Sequence, residues 1–285
     1  MIDPADIATA ARWIAEADAL VVGAGAGMGV DSGLPDFRGT EGFWRAYPAF
    51  GRRGLRFEEL ANPRWFTKDP ATAWGFYGHR MNLYRATAPH AGFGILLSWA
   101  QRMRHGAFAY TSNVDGHFER AGFATDRAVE CHGSIHHLQC VAECGQSPWS
   151  GHDAQVVVDP VEFEAAPPFP ACPTCGGLAR PCILMFGDWQ WDGQRTAAQE
   201  AKLHHWLKAV GQAQGKIVAL ELGAGTAIPT VRLFCEQLVD RRGAALVRIN
   251  PREYQVPQGQ IGMASGALAA LLAIDEAMRQ LPGDL

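Results

Sequence analysis

Apolar residues recur at helical spacing from residue 5 to 17, with Ile7, Ala10, Ala11 and Ile14 on one face. That period predicts an amphipathic helix ending near Asp18. Ala19 to Val22 is then continuously apolar and stops at a glycine, the mark of a short strand buried on both faces. The same pattern predicts strands at Ala107–Thr111, Ala128–Cys131, Ile183–Phe186, Ile217–Leu222 and Ala245–Ile249. Helical periodicity covers Ala71–Arg85, Thr196–Val210, Pro229–Val239 and Gly266–Arg279. Strand and helix alternate, so the expected class is α/β: a Rossmann-type, mostly parallel sheet with helices on both faces.

Two stretches break the alternation. Residues 40–88 are dense in aromatics, among them Phe43, Trp44, Phe57, Trp74, Phe76 and Tyr77, and read as a helical insertion whose rings are mainly core. Residues 136–181 hold four of the seven cysteines. The expected organisation is a nucleotide-binding domain of residues 1–39, 89–135 and 182–285, a helical insertion over 40–88, and a metal-binding module over 136–181.

Composition narrows the partners. The 285 residues are 48% hydrophobic and 19% charged with a formal net charge of -4, a globular balance with no block of like charge. No nucleic-acid partner is expected. The longest apolar stretches, such as Gly266 to Ile274, are too short for a bilayer, and the acidic N-terminus lacks the basic start of a secretory signal. A soluble cytoplasmic protein with no membrane partner is the expectation.

Cys140 and Cys144 are separated by three residues, Cys172 and Cys175 by two, and 27 residues lie between the pairs. Two such knuckles suit a tetrahedral zinc, and four thiolates leave no open position, so the metal would be structural. Scattered reduced thiols and a reactive Cys-x-x-Cys are the competing readings; the second does not explain the first pair. Gly23, Gly25, Gly27 and Gly29 alternate just after the first strand. A loop of this kind entering a helix lets backbone amides approach a pyrophosphate, although the strict Gly-x-Gly-x-x-Gly spacing is absent and a tight structural turn is the alternative.

Several strings together resemble one family. Gly25–Gly39 (GAGMGVDSGLPDFRG), Thr111–Gly122 (TSNVDGHFERAG), His132–Ser134, the two cysteine pairs, Arg180–Asp188 (RPCILMFGD) and Arg248–Asn250 look like the sirtuins, which are NAD-dependent protein lysine deacylases with a Rossmann-type domain and a zinc module. The resemblance implies NAD and zinc as cofactors and an acylated lysine protein or peptide as substrate. It implies that Gly25, Ala26, Gly27, Asp36, Phe37, Arg38, Ser112, Asn113, Asp115, Gly223 and Asn250 line the NAD site. Asn113 and His132 would be catalytic, His132 as the base that deprotonates a ribose hydroxyl once the acyl oxygen has displaced nicotinamide. A histidine suits that task near neutral pH. Phe186 and Gly187 would line the substrate channel. Tyr77 and Arg80 resemble the Tyr-x-x-Arg pair with which some sirtuins bind succinyl or malonyl groups; an exposed Arg80 on an amphipathic helix is the alternative.

The chain also departs from the family pattern. Ser112 stands where glutamine is usual, His117-Phe118 replaces Leu-His, and Met185 and Asp188 replace the outer residues of Trp-Phe-Gly-Glu. Gly223-Ala224-Gly225-Thr226 stands near the usual Gly-Thr-Ser. ADP-ribosyl transfer or NAD hydrolysis on the same scaffold is the competing activity, and a non-catalytic NAD sensor is a third reading.

Overall fold

A computed structural model of the chain describes residues 2–35 and 39–281, with side chains described for all of these but 39–41. Its centre is a six-stranded sheet built from β1 (Ala19–Ala24), β2 (Ala107–Thr111), β3 (Ala128–Glu130), β9 (Ile217–Leu222), β10 (Ala245–Ile249) and β11 (Ile261–Met263). The order is β11-β10-β9-β1-β2-β3, and every pairing is parallel. The chain therefore reverses its direction of winding between β1 and β9, and a crevice opens beyond the carboxyl ends of those strands.

Successive residues of β1 feed opposite cores, as the two-residue period of a strand requires. Leu20, Val22 and Ala24 pack with α1 (Pro4–Ala15), α8 (Ala91–Arg102) and α12 (Ala267–Arg279). Ala19 and Val21 pack with α10 (Gln194–Gln212) and α11 (Thr230–Arg242). Pro4 opens α1, and the Asp3 carboxylate accepts from the Ala5 amide at 2.9 Å, so the helix starts where a capping acid precedes a proline.

A third core joins the two insertions. The first contributes α3 (Gly39–Ala46), α4 (Pro48–Arg52), α5 (Phe57–Leu60), α6 (Trp65–Lys68) and α7 (Pro70–Ala86), the last two following the short α2 (Gly27–Val30) by some 35 residues of chain. The second contributes β4 (Gly133–Cys140), β5 (Trp149–Ser150), β6 (Val157–Val158), β7 (Ala165–Ala166) and β8 (Ala179–Ile183). Phe43, Tyr47, Trp74, Phe76 and Tyr77 share one buried cluster with Ile135, Leu138, Phe163 and Ile183. The Trp74 indole donates to the Ala179 carbonyl at 3.0 Å, which ties α7 to β8. Burying each such ring contributes roughly 1.5–3 kcal/mol, so the insertions stabilise one another.

One expected strand is corrected. The chain from Ile183 to Phe186 does not join the parallel sheet; the strand here is β8, which ends at Ile183 and runs antiparallel to β4. Leu184 and Phe186 are exposed while Met185 is buried, so the apolar run belongs to a loop held at one edge. The Phe186 amide donates to Ala61 O at 2.9 Å, and the Asn62 side-chain amide donates to Phe186 O at 2.9 Å. β11, only three residues long, and the eight-residue β4 had no counterpart in the expected elements. No helix among the described residues is long and apolar enough to cross a membrane.

Burial lowers the pKa of His79, His90, His117, His132, His136 and His137, the last to about 4. Between the folded and unfolded values the unfolded chain holds more protons, so stability is full above pH ~6.5 and falls as the pH drops below it. His137 alone removes about 1 kcal/mol between pH 6.5 and 5.5. The melting temperature is expected to fall steadily from pH 7.5 to 5.5 in calorimetry; a flat profile would contradict the neutral burial of these imidazoles.

Candidate active site

Three strand ends bring the crevice residues together. Gly25, Ala26 and Gly27 follow β1, and the Gly25 and Gly27 amides donate to Leu222 O and Gly223 O at 2.9 and 3.0 Å. At Gly223 φ is +62°, and a Cβ there would stand 2.4 Å from Gly27 Cα. Glycine at this position therefore lets the loops after β1 and β9 touch. Ser112 and Asn113 follow β2: the Ser112 amide donates to Ala24 O, and Asn113 Nδ2 donates to Gly25 O, both at 3.0 Å. Asp36, Phe37 and Arg38 lie outside the described residues.

Asp115 is buried, and its Oδ1 accepts the His117 amide at 2.9 Å at the start of α9 (His117–Arg120). Its Oδ2 faces the α2 backbone, 3.7 Å from where a Cβ on Gly29 would lie. Asn250 sits differently from the other predicted cofactor residues. It is fully buried, its Nδ2 donates to Ala224 O at 2.8 Å, and its Oδ1 accepts the Arg252 and Glu253 amides at 3.0 Å each. The carboxamide is spent on tying the loops after β9 and β10 together.

His132 lies between the crevice and the channel segment. It is half-buried beside the Ser112 backbone carbonyl, and its own carbonyl accepts the Leu184 amide at 3.0 Å. Burial lowers its pKa, and the contact with Ser112 only partly opposes this; the imidazole is neutral at pH 7 and able to accept a proton. Gly133 makes this position possible. Its φ is +78°, and a Cβ would stand 2.1 Å from Cys182 O, so only glycine lets β4 start against β8 directly after the histidine. Burial pushes the neighbouring Cys131 thiol up to about 12, which leaves it protonated and not a nucleophile.

Sequence reasoning missed the clamp on Glu130, two residues before His132. Its carboxylate meets Arg195 at 2.5 Å, its amide donates to Gln199 Oε1 at 3.1 Å, and its carbonyl accepts from Thr196 Oγ1 at 3.0 Å. All three partners are on one face of α10, at i, i+1 and i+4. Nothing in the local pattern of AVECHGS points to a helix 65 residues away.

The acyl-pocket candidates are brought to His132 by a chain of contacts. Leu184 leads to Phe186, whose ring lies 6.0 Å from Phe57. The Arg80 guanidinium lies 6.0 Å from the Phe57 ring centre, 5.2 Å from Phe76, 5.9 Å from Tyr77 and 5.3 Å from Tyr84. Its Nε and Nη2 donate to the Tyr84 hydroxyl at 3.0 and 2.7 Å. Arg80 is 8% exposed, so it is no solvated arginine on an amphipathic face. Tyr77 is likewise buried, and burial raises its pKa, keeping the phenol protonated. The charge of Asp115 is felt at Tyr84, which puts the aromatic box beside the crevice. Gly187 has φ +64°, and the following Asp188 grips Arg180 through two bonds of 2.7 and 2.9 Å. Trp189, 96% exposed on this loop, was also missed; the aromatics of Asp188-Trp189-Gln190-Trp191 were the available signal.

The family model for the Sir2 family matches residues 25–215. The chain belongs to the Sir2 family. It is 32% identical over 248 residues to the NAD-dependent protein deacylase 1 of Archaeoglobus fulgidus, with 85% of each chain covered. It is 34% identical over 232 residues to the NAD-dependent protein deacylase 2 of Pyrobaculum aerophilum, covering 81% of this chain and 78% of the relative. Among solved structures it resembles a Sir2 homologue in complex with NAD (TM-score 0.69, 27% identity, 95% and 93% covered). It also resembles a triple mutant of a Sir2 homologue in complex with 2′-O-acetyl ADP ribose (TM-score 0.65, 28% identity, 95% of each chain).

The four cysteines of this Sir2 family chain converge. Their sulfurs all lie within 4.8 Å of one another, with Cys140–Cys175 and Cys144–Cys172 at 3.6 Å. Sulfurs bound to one zinc at 2.3 Å stand about 3.8 Å apart, whereas a disulfide needs about 2.05 Å. The geometry fits zinc. In the second knuckle the Gly177 amide donates to Cys175 Sγ at 3.4 Å. Metal analysis is expected to find about one zinc per chain, and chelation to abolish cooperative unfolding, because closed sites contribute folding energy outright. Zinc-free protein with an unchanged melting curve would refute this.

Proposed function

We propose that this chain is an NAD-dependent protein lysine deacylase that moves the acyl group of an acylated lysine onto ADP-ribose with release of nicotinamide, and that its pocket takes acidic acyl chains. When bound, NAD supplies the ribose that accepts the acyl group and the nicotinamide that leaves. The loops after β1 and β9, touching at Gly27 and Gly223, stand at the carboxyl ends of the sheet strands, where a dinucleotide binds in a sheet that reverses its winding; Asp115, an acceptor when ionised, fits the carboxamide NH2 of nicotinamide. Asn113 holds the loop after β1 in place through Gly25 O, and its side-chain oxygen would be an acceptor for a ribose hydroxyl. His132 takes the proton of the ribose hydroxyl, its task set by a neutral, half-buried imidazole beside the segment Leu184–Gly187 that receives the substrate. Reduced cysteines and a zinc thiolate set favour the cytoplasm, and the modest net charge of -4 favours a protein or peptide substrate over nucleic acid.

The observation that carries the acyl preference is Arg80, a guanidinium buried among Phe57, Phe76, Tyr77 and Tyr84, with Phe57 in turn in ring contact with Phe186. A carboxylate at the end of a succinyl or malonyl chain pairs there with a desolvated arginine and gains a charge-assisted bond.

His132→Ala is expected to lower turnover by about 10²- to 10⁴-fold while NAD binding survives. The acid limb of kcat/KM for the unmodified enzyme should lie below pH ~6.5, since the base is lost only as the pH falls through its lowered pKa. Full activity in His132→Ala would end the assignment, and free ADP-ribose in place of acyl-ADP-ribose by mass spectrometry would favour NAD hydrolysis.

Arg80→Met should raise KM for succinyl-lysine peptides by about tenfold or more, the value of one charge-assisted hydrogen bond. Acetyl-lysine peptides, which bring no carboxylate, should change much less. Equal losses on both would retire the acidic-acyl preference and leave deacylation standing.

A further inference from the structure

The amino ends of β2 and β3 point away from the crevice, and between them lies a second, open depression of about 590 Å³. The turns before Ala107 and Ala128 form one wall, and α10 the other. Arg104, Arg127 and Lys202 line it together with His105 and His205, against Asp126 as the one carboxylate in the lining. In a chain whose formal net charge is -4, this is a local reversal of sign. The ion pairs found among the described residues involve none of Arg104, Arg127 and Lys202.

Two buried nitrogens in this wall carry the argument further. Arg127 Nη1 and His105 Nε2 have no hydrogen-bond partner. Both groups are held in place: the Arg127 guanidinium lies 6.0 Å from the Trp206 ring centre, and the Trp206 indole donates to His105 O at 2.9 Å. An unsatisfied buried donor costs about 1–3 kcal/mol, more when charged, and a fixed guanidinium donor beside a lysine and a second arginine is matched by the oxygens of a phosphate.

We propose that this depression binds a small organic phosphate of nucleoside monophosphate size. The volume exceeds that of a bare phosphate and falls within the range of small-molecule sites, with Phe108 and Trp206 as its apolar floor. It is separate from the NAD crevice: β2, five residues long, stands between them and spans about 17 Å. The helix that lines it through Lys202 and His205 is the one that grips Glu130 through Arg195, Thr196 and Gln199, so the ligand rests on the element that also supports the strand leading to His132.

The test is calorimetric titration of the full chain with AMP, pyrophosphate and inorganic phosphate, in the presence of saturating ADP-ribose to fill the crevice. AMP is expected to bind at one further site, and Arg127→Met and Lys202→Met should each weaken it about tenfold, the worth of a charge-assisted bond. Lys202 is exposed on α10, so its variant keeps the test open if loss of Arg127 disturbs packing on Trp206. Pyrophosphate binding as tightly as AMP would retain the phosphate site but remove the nucleoside-sized ligand. No binding of any of the three at about 10 mM, where a millimolar site fills, would overturn the proposal, as would AMP binding unchanged in both variants. A chain that binds AMP in this Arg127-dependent way but not ADP-ribose would count against the crevice assignment alone.

Discussion

The buried pair of Arg180 and Asp188 holds the catalytic end of this molecule together. Their side chains are 2% and 0% exposed, and two bonds join them. Asp188 also accepts the Met185 and Gln190 amides. One carboxylate therefore closes a loop onto the strand it has just left, with Leu184, Phe186 and Gly187 on its outer side. Taking two charges out of water is costly, and such a pair adds little net stability over an apolar one. What it does here is geometric. Loss of either partner would leave a buried charge at a cost of about 3–5 kcal/mol, so the loop has one arrangement, and that arrangement presents Phe186 to the helical insertion and Leu184 to His132. The aspartate, a methylene shorter than the glutamate common in the family, reaches its arginine because the loop after β8 folds back onto that strand.

The second buried charge, Arg80, is set by different physics. Rings surround it at 5.2 to 6.0 Å, and their faces interact favourably with a cation that has lost water. Tyr84 adds an oxygen acceptor. The box thus keeps a guanidinium charged and oriented in a place where an ammonium, more strongly hydrated, would be disfavoured. The aromatic box and the crevice are consequently built on separate material: the first on aromatic helices α5 and α7, the second on strand ends of the central sheet. His132 touches both, since its neighbours are the Ser112 carbonyl on one side and the Leu184 amide on the other.

Much of this was legible along the chain. The parallel strands that run through the sheet centre are continuous apolar segments, and β2, β9 and β10 begin and end where their patterns do. The cysteine knuckles needed only spacing. Ile183–Phe186 misled because its composition is that of a strand, while its conformation is dictated by Asp188, Ala61 and Asn62, the last two more than 120 residues away in sequence. β11 is too short to carry a period. Asn250 matched a motif, but a motif does not say which of a carboxamide's bonds go to the backbone; three of its hydrogen bonds lie in the loops it ties. The clamp on Glu130 was invisible for a related reason, since it needs α10 to cross the sheet edge at one particular height.

That clamp and the glycine at 133 together explain how a histidine can be both half-buried and precise. Glu130 is held through its amide, its carbonyl and its carboxylate by one helix. Gly133 is pressed against Cys182 O so closely that any side chain would collide. The two residues between, Cys131 and His132, have no freedom to adjust: the Cys131 amide is bonded to Thr111 O at 2.9 Å, and the His132 carbonyl to Leu184. A side chain fixed at both ends of its backbone has little entropy left to lose, and under the proposed role of His132 as base that fixed placement is where positioned catalysis gains most. The sheet edge, a helix and an antiparallel ribbon from another core thus converge on a four-residue stretch, which is why the chain needs its insertions anchored to one another before the histidine has a defined place.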